Sequence, residues 1–190
     1  MNSEIIIRMT TVFRHLGYNR ILNMNDPWQQ YRQNSRGWML DPPAKVHVSI
    51  IFGAGFMLTP TFVQENQITH VVNCAQDIDS PQWFRDHNPT KYMCINAYDN
   101  KTVNILDWYP AFSNTMDNFL REPESKVIFV HCQCGINRSG FLTLLYCLKK
   151  FGYGFESTVR SILEQRPCAL TNPVFREQLI NYIKSNGRSW

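Results

Sequence analysis

Residues 127–141, with the sequence VIFVHCQCGINRSGF, join two patterns of opposite kind. The run from Val127 to Val130 is apolar throughout, which is typical of a strand buried on both faces of a sheet. A helical pattern of apolar residues begins near Arg138. Open α/β sheets bind their ligands at the carboxyl ends of their strands. The stretch therefore predicts a strand, a turn that carries a ligand site, and a helix.

The turn between that strand and that helix has the composition of an anion site. Backbone N–H groups at a helix N-terminus favour a negatively charged group, phosphate above all. The guanidinium of Arg138 can hold two phosphate oxygens, and Gly135 lets the backbone approach a ligand closely or adopt a positive φ. The predicted phosphate-binding loop consists of Gln133, Cys134, Gly135, Ile136, Asn137 and Arg138.

Cys132, the last residue of the predicted strand, is the candidate nucleophile. The loop amides, the helix terminus and Arg138 all favour its thiolate, which is the nucleophilic form of cysteine. Ser139 places a hydroxyl where it can stabilise this thiolate when it becomes a leaving group. The Cys132 and Arg138 pair alone is equally compatible with a buried apolar thiol and a surface cation. The complete run from His131 to Gly140 after an apolar strand favours the catalytic interpretation.

The rest of the chain predicts an α/β fold. Apolar runs of strand length occur in VHVSIIF (46–52), THVVNCA (69–75), KYMCINA (91–97) and KVIFVHC (126–132). Helical stretches are expected at 59–67, 105–120, 138–150, 155–165 and 173–184. Strands separated by helices indicate a mostly parallel central sheet of about five strands that is flanked by helices.

Residues 1–44 are predicted to form an N-terminal helix and arm outside the catalytic domain, which is expected at 45–186. The segment from Ser3 to Gly17 has helical spacing of apolar residues, and the remainder up to Pro43 is polar and aromatic with several breakers. The apolar face of this helix has to pack either on its own domain or on a second copy of the chain. The sequence leaves both open, so a homodimer through this helix remains an alternative.

Composition limits the class of protein. A chain of 190 residues is long enough for one domain with a sizeable core. The formal charge of +4 comes without a run of four Lys or Arg, which argues against a nucleic-acid groove and favours anionic substrates in a modest way. No apolar run is long enough to span a membrane, so no membrane partner is expected. The N-terminus lacks the features of a secretory signal, and we therefore expect an intracellular, cytoplasmic protein.

The six cysteines are expected to be reduced thiols. They are Cys74, Cys94, Cys132, Cys134, Cys147 and Cys168, and most of them lie within apolar runs. The close pair Cys132 and Cys134 has no second pair or spaced histidines to complete a four-ligand zinc set, so no metal is expected. A disulfide between these two would be strained, and Cys134 is expected to fill space in the loop.

The run HCQCGINRSG resembles the signature of the cysteine-dependent protein tyrosine phosphatases, His-Cys-x5-Arg-Ser/Thr-Gly. More narrowly it resembles the small dual-specificity phosphatases, and its GINRSG half is close to the poxvirus-encoded type, which hints at a viral origin. Residues 53–76, 95–120 and 160–183 are also similar to segments of that family. The resemblance extends over residues 45–185.

The resemblance implies a dual-specificity phosphatase-like fold, no metal and no organic cofactor. It identifies Asp99, in AYDN, as the acid that protonates the leaving oxygen and then activates water. Asp107 and Asp117 are weaker candidates for this role. By the same resemblance His131 orients the loop and supports the thiolate, and we expect Asn137 to form hydrogen bonds within the loop.

The expected substrates are phosphoproteins. Residues 133–137 carry no charge, which argues against a highly anionic inositol head group. The chain has no room for the insertion that deepens the cleft of tyrosine-specific relatives, so phosphoserine and phosphothreonine are expected beside phosphotyrosine. One alternative is an RNA 5′-triphosphatase, because that branch also places asparagine before the arginine. A second alternative is a non-catalytic phospho-binding module, although cysteine, arginine and aspartate are all retained.

Overall fold

In the part of the chain that the structure describes, the strands form one five-stranded sheet. The computed structural model describes Met39, residues 41–100 and residues 102–186. The strands are β1 (Ala44–His47), β2 (Ile50–Ala54), β3 (Ile68–Asn73), β4 (Tyr92–Cys94) and β5 (Val127–Cys132). Their order in the sheet is β1-β2-β5-β3-β4, with β1 antiparallel to β2 and all other pairs parallel. The predicted α/β fold with a mostly parallel sheet of about five strands is confirmed.

Helices connect and cover these strands. The α-helices are α1 (Pro60–Glu65), α2 (Gln82–His87), α3 (Tyr109–Arg121), α4 (Arg138–Phe151), α5 (Phe155–Gln165) and α6 (Pro173–Ser185). Short 3-10 helices lie at Gly55–Met57, Asp77–Asp79, Pro89–Lys91 and Ile105–Trp108. All predicted helices within the described residues are present, whereas α2 was not predicted. Gly152 ends α4 with a φ of +66°, as a left-handed C-terminal residue does.

The prediction of one strand over 46–52 was wrong in its extent. The apolar run VHVSIIF is interrupted by a tight turn at Val48 and Ser49, so that it contributes to both β1 and β2. Val48 is 70% exposed at this turn. Valine is typical of strands, so its presence in an exposed turn left the apolar pattern of residues 46–52 without a sign that the chain reverses there.

Side chains of the central strands alternate between two apolar layers, because successive residues of a strand point to opposite faces. One layer packs against α3, α4, α5 and α6 and includes Ile50, Phe52, Val72, Ile128 and Val130. The opposite layer packs against α1 and α2 and includes Ile51, Val71 and Phe129. Each such side chain contributes about 1.5–3 kcal/mol on burial, so both faces hold the sheet in place.

This arrangement delivers β5 to the centre of the sheet, between β2 and β3. At its carboxyl end Cys132 pairs with Ala54, and His131 pairs with Asn73. The predicted helix over residues 3–17 lies outside the described residues. The start of the described chain packs on the domain, since backbone carbonyls of Asp41 and Pro42 accept hydrogen bonds from Arg166.

Candidate active site

The loop of residues 133–138, named here the phosphate loop, joins β5 to α4. Its backbone carbonyls are all turned away from the loop centre and bonded to the surrounding chain. They accept hydrogen bonds as follows: Gln133 from Gly55 N (3.4 Å), Cys134 and Gly135 from Arg166 (2.8 and 2.7 Å), Ile136 from Leu170 N (2.8 Å) and Asn137 from Phe141 N (2.8 Å). Such outward bonding fixes the path of the backbone.

The backbone N–H groups of the same loop differ from its carbonyls in their hydrogen bonding. Within residues 41–100 and 102–186, the backbone N–H groups of residues 133–137 donate to no other group of the chain. Buried or half-buried N–H groups are rarely left unpaired, and a set that precedes a helix N-terminus is suited to an anion. The loop therefore offers a row of donors to a tetrahedral anion such as phosphate.

Gly135 is required by the shape of the loop. Its φ is +62°, in the left-handed region that side chains disfavour. A Cβ at this position would collide with the backbone of Gly53 and Ala54 on the neighbouring strand β2. Only glycine allows the loop to pass this close to the sheet.

Arg166 holds the loop from behind and was not singled out from the sequence. Its side chain is fully buried, with a relative exposure of 0%. Its three nitrogens donate to the carbonyls of Gly135, Cys134, Asp41 and Pro42 at 2.7–2.9 Å. The guanidinium thereby joins the phosphate loop to the first described residues of the chain and turns two loop carbonyls outward.

Cys132 lies under the phosphate loop and is 2% exposed. The hydroxyl of Ser139 donates a hydrogen bond to the Cys132 sulfur at 3.3 Å. A donor at this place can stabilise the sulfur when it carries negative charge, which is the role that the sequence predicts for Ser139.

His131 is buried beside Cys132, and a lowered pKa favours its neutral form at physiological pH. Burial, the largest cause, lowers the pKa of His131 to about 4. Its Nδ1 lies 3.4 Å from the Cys132 carbonyl, which can only accept, so Nδ1 donates there. Its Nε2 then accepts from the Ser80 hydroxyl at 3.2 Å. The ring is thus oriented by the backbone of Cys132 and by Ser80, on the segment after β3.

Arg138 begins α4 and reaches the opposite side of the site. Its Nη1 donates to the carbonyl of Ala97 at 3.1 Å. Its Nε is buried and has no hydrogen-bond partner among the described residues. A buried guanidinium N–H that lacks a partner beside an anion cradle is suited to a phosphate oxygen.

Asp99 lies on the acid loop, defined here as residues 96–100, which follows β4. Its Oδ2 accepts a hydrogen bond from Asn137 Nδ2 at 3.2 Å, and its Oδ1 accepts one from Asn172 Nδ2 at 2.9 Å. The sequence predicts that the Asn137 side chain forms hydrogen bonds within the phosphate loop. In the structure its hydrogen bonds are made with residues outside that loop. The Oδ1 of Asn137 accepts hydrogen bonds from the backbone N–H groups of Thr171 and Asn172 at 3.0 and 2.9 Å. Asn137 therefore links the phosphate loop to Asp99.

The open cleft above these groups has a volume of about 460 Å³. Its lining comprises Gln76, Ile78, Asp79, Tyr98, Asp99, Cys132, Gln133, Cys134, Ile136, Asn137 and Arg138. Ile78 and Tyr98 are 86% and 53% exposed, which gives the cleft two apolar walls. Most of the predicted site residues meet here, while His131 and Ser139 support Cys132 from outside the lining.

Two other aspartates that the sequence offered as acids lie elsewhere. Asp107 is in the 3-10 helix before α3, and Asp117 in α3 binds Tyr146 and Lys150. Neither contributes to the cleft lining. Arg166 and Asn172 are the functional candidates that sequence reasoning missed. Both lie in EQRPCALTN, where Asn172 before Pro173 indicates only a helix start, and only their contacts with the site reveal them.

All six cysteines are free thiols in the structure. Burial, the largest cause, raises the pKa of Cys134, and the nearby Cys132 raises it further. Among the described residues no group of three or more His, Cys, Asp or Glu is arranged to hold a metal ion. In the same residues no helix combines the length and apolar character needed to cross a membrane.

Comparison with known proteins gives protein phosphatases among the relatives. Protein phosphatase Slingshot homolog 3 of Rattus norvegicus is 27% identical over 172 residues, which cover 85% of this chain and 25% of the relative. Dual specificity protein phosphatase 8 of Mus musculus is 26% identical over 129 residues, 68% of this chain and 19% of the relative. The chain thus spans about a quarter or less of the length of these curated relatives.

Solved structures share the fold. Human DUSP28 superposes with a TM-score of 0.64 at 19% identity, over 77% of this chain and 96% of that one. The human tyrosine phosphatase-like serine/threonine/tyrosine-interacting protein gives a TM-score of 0.63 at 22% identity, over 76% and 97%. The family model described as dual specificity phosphatase, catalytic domain, matches residues 50–185, which is more than half of the chain. The chain belongs to the dual specificity phosphatase family.

Proposed function

We propose that this chain is a cysteine-dependent protein phosphatase that hydrolyses phosphotyrosine and phosphoserine or phosphothreonine. One observation carries the proposal above all. The carbonyls of residues 133–137 are bonded outward, while their N–H groups are unpaired within the described chain and surround the end of β5, where Cys132 lies. Such a cradle binds the phosphoryl group and brings its phosphorus to the sulfur. The protein phosphatases among the relatives support this activity.

In the first step the Cys132 thiolate attacks phosphorus, and an S–P bond forms as the bond to the ester oxygen breaks. The loop amides and Arg138 bind the three phosphoryl oxygens and the charge that develops on them. Asp99 donates its proton to the leaving oxygen, because an alkoxide or phenoxide leaves poorly. A positioned acid contributes about 10²–10⁴-fold to such a step.

In the second step water hydrolyses the phosphocysteine. The Asp99 carboxylate accepts a proton from the attacking water, a P–O bond forms and the S–P bond breaks. The electron pair returns to sulfur, where the hydroxyl of Ser139, 3.3 Å away, stabilises it. Phosphate then leaves the cradle, and neither step needs a metal ion or an organic cofactor.

The walls of the cleft support a phosphoprotein substrate. Ile78 and Tyr98 offer apolar contacts to a side chain that carries the phosphate, and the cleft is open toward solvent. The carboxylates of Asp79 and Asp99 line the same rim, which disfavours substrates with many phosphates. The comparisons do not favour the RNA 5′-triphosphatase or the non-catalytic module.

Several finer predictions from the sequence belong to the same proposal. We propose a cytoplasmic location, a loop close to the poxvirus-encoded type, and a catalytic domain over residues 45–186. The helix at residues 3–17 and the homodimer that it offers lie outside the described residues, and they are tested by the oligomeric state of the full chain in solution.

The proposed activity is tested by phosphate release without added metal from wild type, Cys132→Ser and Asp99→Asn. The substrates are an aryl phosphate, phosphotyrosine and phosphothreonine peptides, and 5′-triphosphate RNA. We expect wild type to hydrolyse both peptides, Cys132→Ser to be inactive, and Asp99→Asn to be slowed about 10²-fold or more on the phosphothreonine peptide.

Two results would overturn the proposal. Release from RNA alone would move the substrate to nucleic acid while leaving the nucleophile in place. Tight binding of phosphopeptide to wild type without turnover would make the chain a phospho-binding module.

A further inference from the structure

Both carboxylate oxygens of Asp99 are held by asparagine amides. Asn137 Nδ2 donates to Oδ2 at 3.2 Å, and Asn172 Nδ2 donates to Oδ1 at 2.9 Å. Asp99 itself is exposed on the acid loop, so little apolar packing fixes its side chain. The two amides are therefore the contacts that decide where its carboxyl group points.

Each of these amides is itself fixed by the scaffold. The Oδ1 of Asn172 accepts from the backbone of Val174 and Phe175 at 3.0 and 3.3 Å, as the N-cap of α6. With its oxygen committed to the helix, its NH₂ group can only point outward, toward Asp99. The capping bond of α6 and the bond to Asp99 thus belong to one side chain.

We propose that Asn172 is a positioning residue for the acid of the reaction, an inference that rests on the function proposed above. Asn172 transmits the fixed direction of α6 to Asp99 and keeps that carboxyl group over the Cys132 sulfur and the phosphate loop. Asn137 assists from the loop side, and its own Oδ1 is held by the backbone of residues 171 and 172. The turn before α6 and the phosphate loop therefore hold the acid between them.

The hydrogen bonds from Asn137 and Asn172 are compatible with both the ionised and the protonated form of Asp99. As a carboxylate it accepts both N–H donors, one on each oxygen. When it carries a proton on Oδ2, that oxygen can donate to the leaving group while Oδ1 keeps the shorter bond to Asn172. The contact with Asn172 is thus compatible with both the acid step and the base step, and the longer contact with Asn137 is the one that yields.

The inference is tested by how activity depends on the leaving group. A good leaving group such as 4-nitrophenolate needs little protonation, whereas the alkoxide of phosphothreonine needs an acid. Asn172→Ser keeps an oxygen that caps α6 but removes the donor to Asp99. We expect kcat on a phosphothreonine peptide to fall at least tenfold more than kcat on 4-nitrophenyl phosphate, because misplacement of an acid is costly only where the acid is needed.

Asn172→Asp provides a second variant in case the serine caps poorly. It keeps an oxygen that caps α6 but replaces the amide donors by a carboxylate that repels Asp99, so it should fold and show the same or a larger difference between the two substrates. In an Asp99→Ala background the additional effect of Asn172→Ser should disappear, since effects that act through one group are not additive.

Equal losses on both substrates, or an undiminished effect of Asn172→Ser in the Asp99→Ala background, would overturn the inference and leave Asn172 as a helix cap only. Failure of the proposed function gives a different result. In that case wild type hydrolyses neither substrate, or Asp99→Ala itself shows no dependence on the leaving group.

Discussion

The phosphate loop and the acid loop meet over one cleft but are held by different means. The phosphate loop follows β5, which pairs with strands on both sides, and its path is fixed by bonds to backbone carbonyls and by the buried Arg166. The acid loop follows β4, an edge strand of three residues, and its acid is exposed and held by two side-chain amides. The fold thus fixes the phosphate loop through the core, whereas it holds Asp99, the proposed proton donor, through a few surface contacts.

Arg166→Met should produce the largest loss of stability that this difference predicts. The change leaves carbonyls of Gly135, Cys134, Asp41 and Pro42 without their buried donor, which costs about 3 kcal/mol or more of unfolding free energy. Activity should fall with it, because the loop carbonyls are no longer held outward. Urea unfolding and phosphate release measure the two effects.

Arg160→Met is the matched control, because Arg160 lies in α5 and Arg166 directly follows that helix. Arg160 is half exposed and pairs with Glu156 at 3.1 Å, so its loss should change the free energy of unfolding by about 0.5 kcal/mol or less. Asp99→Asn, on the acid loop, should be as mild for stability. Similar losses from all three variants would show that the phosphate loop is no better anchored than the acid loop.

Gly135→Ala should come next in size. The new Cβ meets the backbone of β2, and alanine disfavours a φ of +62°, so we expect a loss of about 3 kcal/mol in stability or an opened loop. Unfolding in urea and the affinity for inorganic phosphate distinguish these two results. A variant that keeps both wild-type stability and phosphate affinity would contradict the close approach of loop and sheet.

The same difference explains what the sequence could predict. The phosphate loop and its candidate nucleophile could be predicted because strand, glycine, arginine and helix start are contiguous, and local physics suggests a role for each. Asp99 has no such local pattern, since an aspartate in a turn is ordinary. It was identified only through resemblance, and its place in the same cleft as Cys132 depends on the pairing of β4 with β3.

Arg166 and Asn172 lay beyond prediction for a related reason. An arginine after a helix normally indicates a solvated side chain, and the guanidinium of Arg166 is buried against two segments that are distant in sequence, residues 41–42 and 134–135. The turn at Val48 was missed because period and composition do not change there. A single sequence does not reveal contacts between residues that are far apart along the chain. It also does not reveal a chain reversal that lacks a glycine, proline or asparagine.

Thiol reactivity sharpens the comparison at the strand ends, because β5 ends in Cys132 and β4 ends in Cys94. Burial, the largest cause, raises the pKa of Cys94, whose sulfur donates to the Ala75 carbonyl at 3.1 Å. A raised pKa leaves less thiolate at a given pH, so alkylation of Cys94 at pH 7 should be at least tenfold slower than that of Cys132. The alkylation rate of Cys94 should rise as the pH increases toward 9.

Mass spectrometry of iodoacetamide-treated protein measures both rates. Cys134 serves as the internal control, because burial and the neighbouring Cys132 raise its pKa although it lies in the phosphate loop. Inorganic phosphate should protect Cys132 alone. Equal labelling of Cys94 and Cys132 at pH 7 would indicate that the loop amides do not favour the Cys132 thiolate.

The smallest effect is expected at Tyr98, which lets the acid loop contribute to substrate choice as well as to proton transfer. Its ring is 53% exposed, lines the cleft and packs against Trp108 with ring centroids 6.1 Å apart. Contact between aromatic rings is worth about 0.5–1.5 kcal/mol, so Tyr98→Ala should lower kcat/KM for a phosphotyrosine peptide about threefold to tenfold. The value for the matching phosphothreonine peptide should change less, since that side chain has no ring to stack.

Tyr98→Phe keeps the aromatic wall of the cleft and should retain the wild-type ratio of kcat/KM for the two peptides. An equal fall for both peptides would instead mean that Tyr98 acts through the position of Asp99, and the acid loop would then serve proton transfer alone.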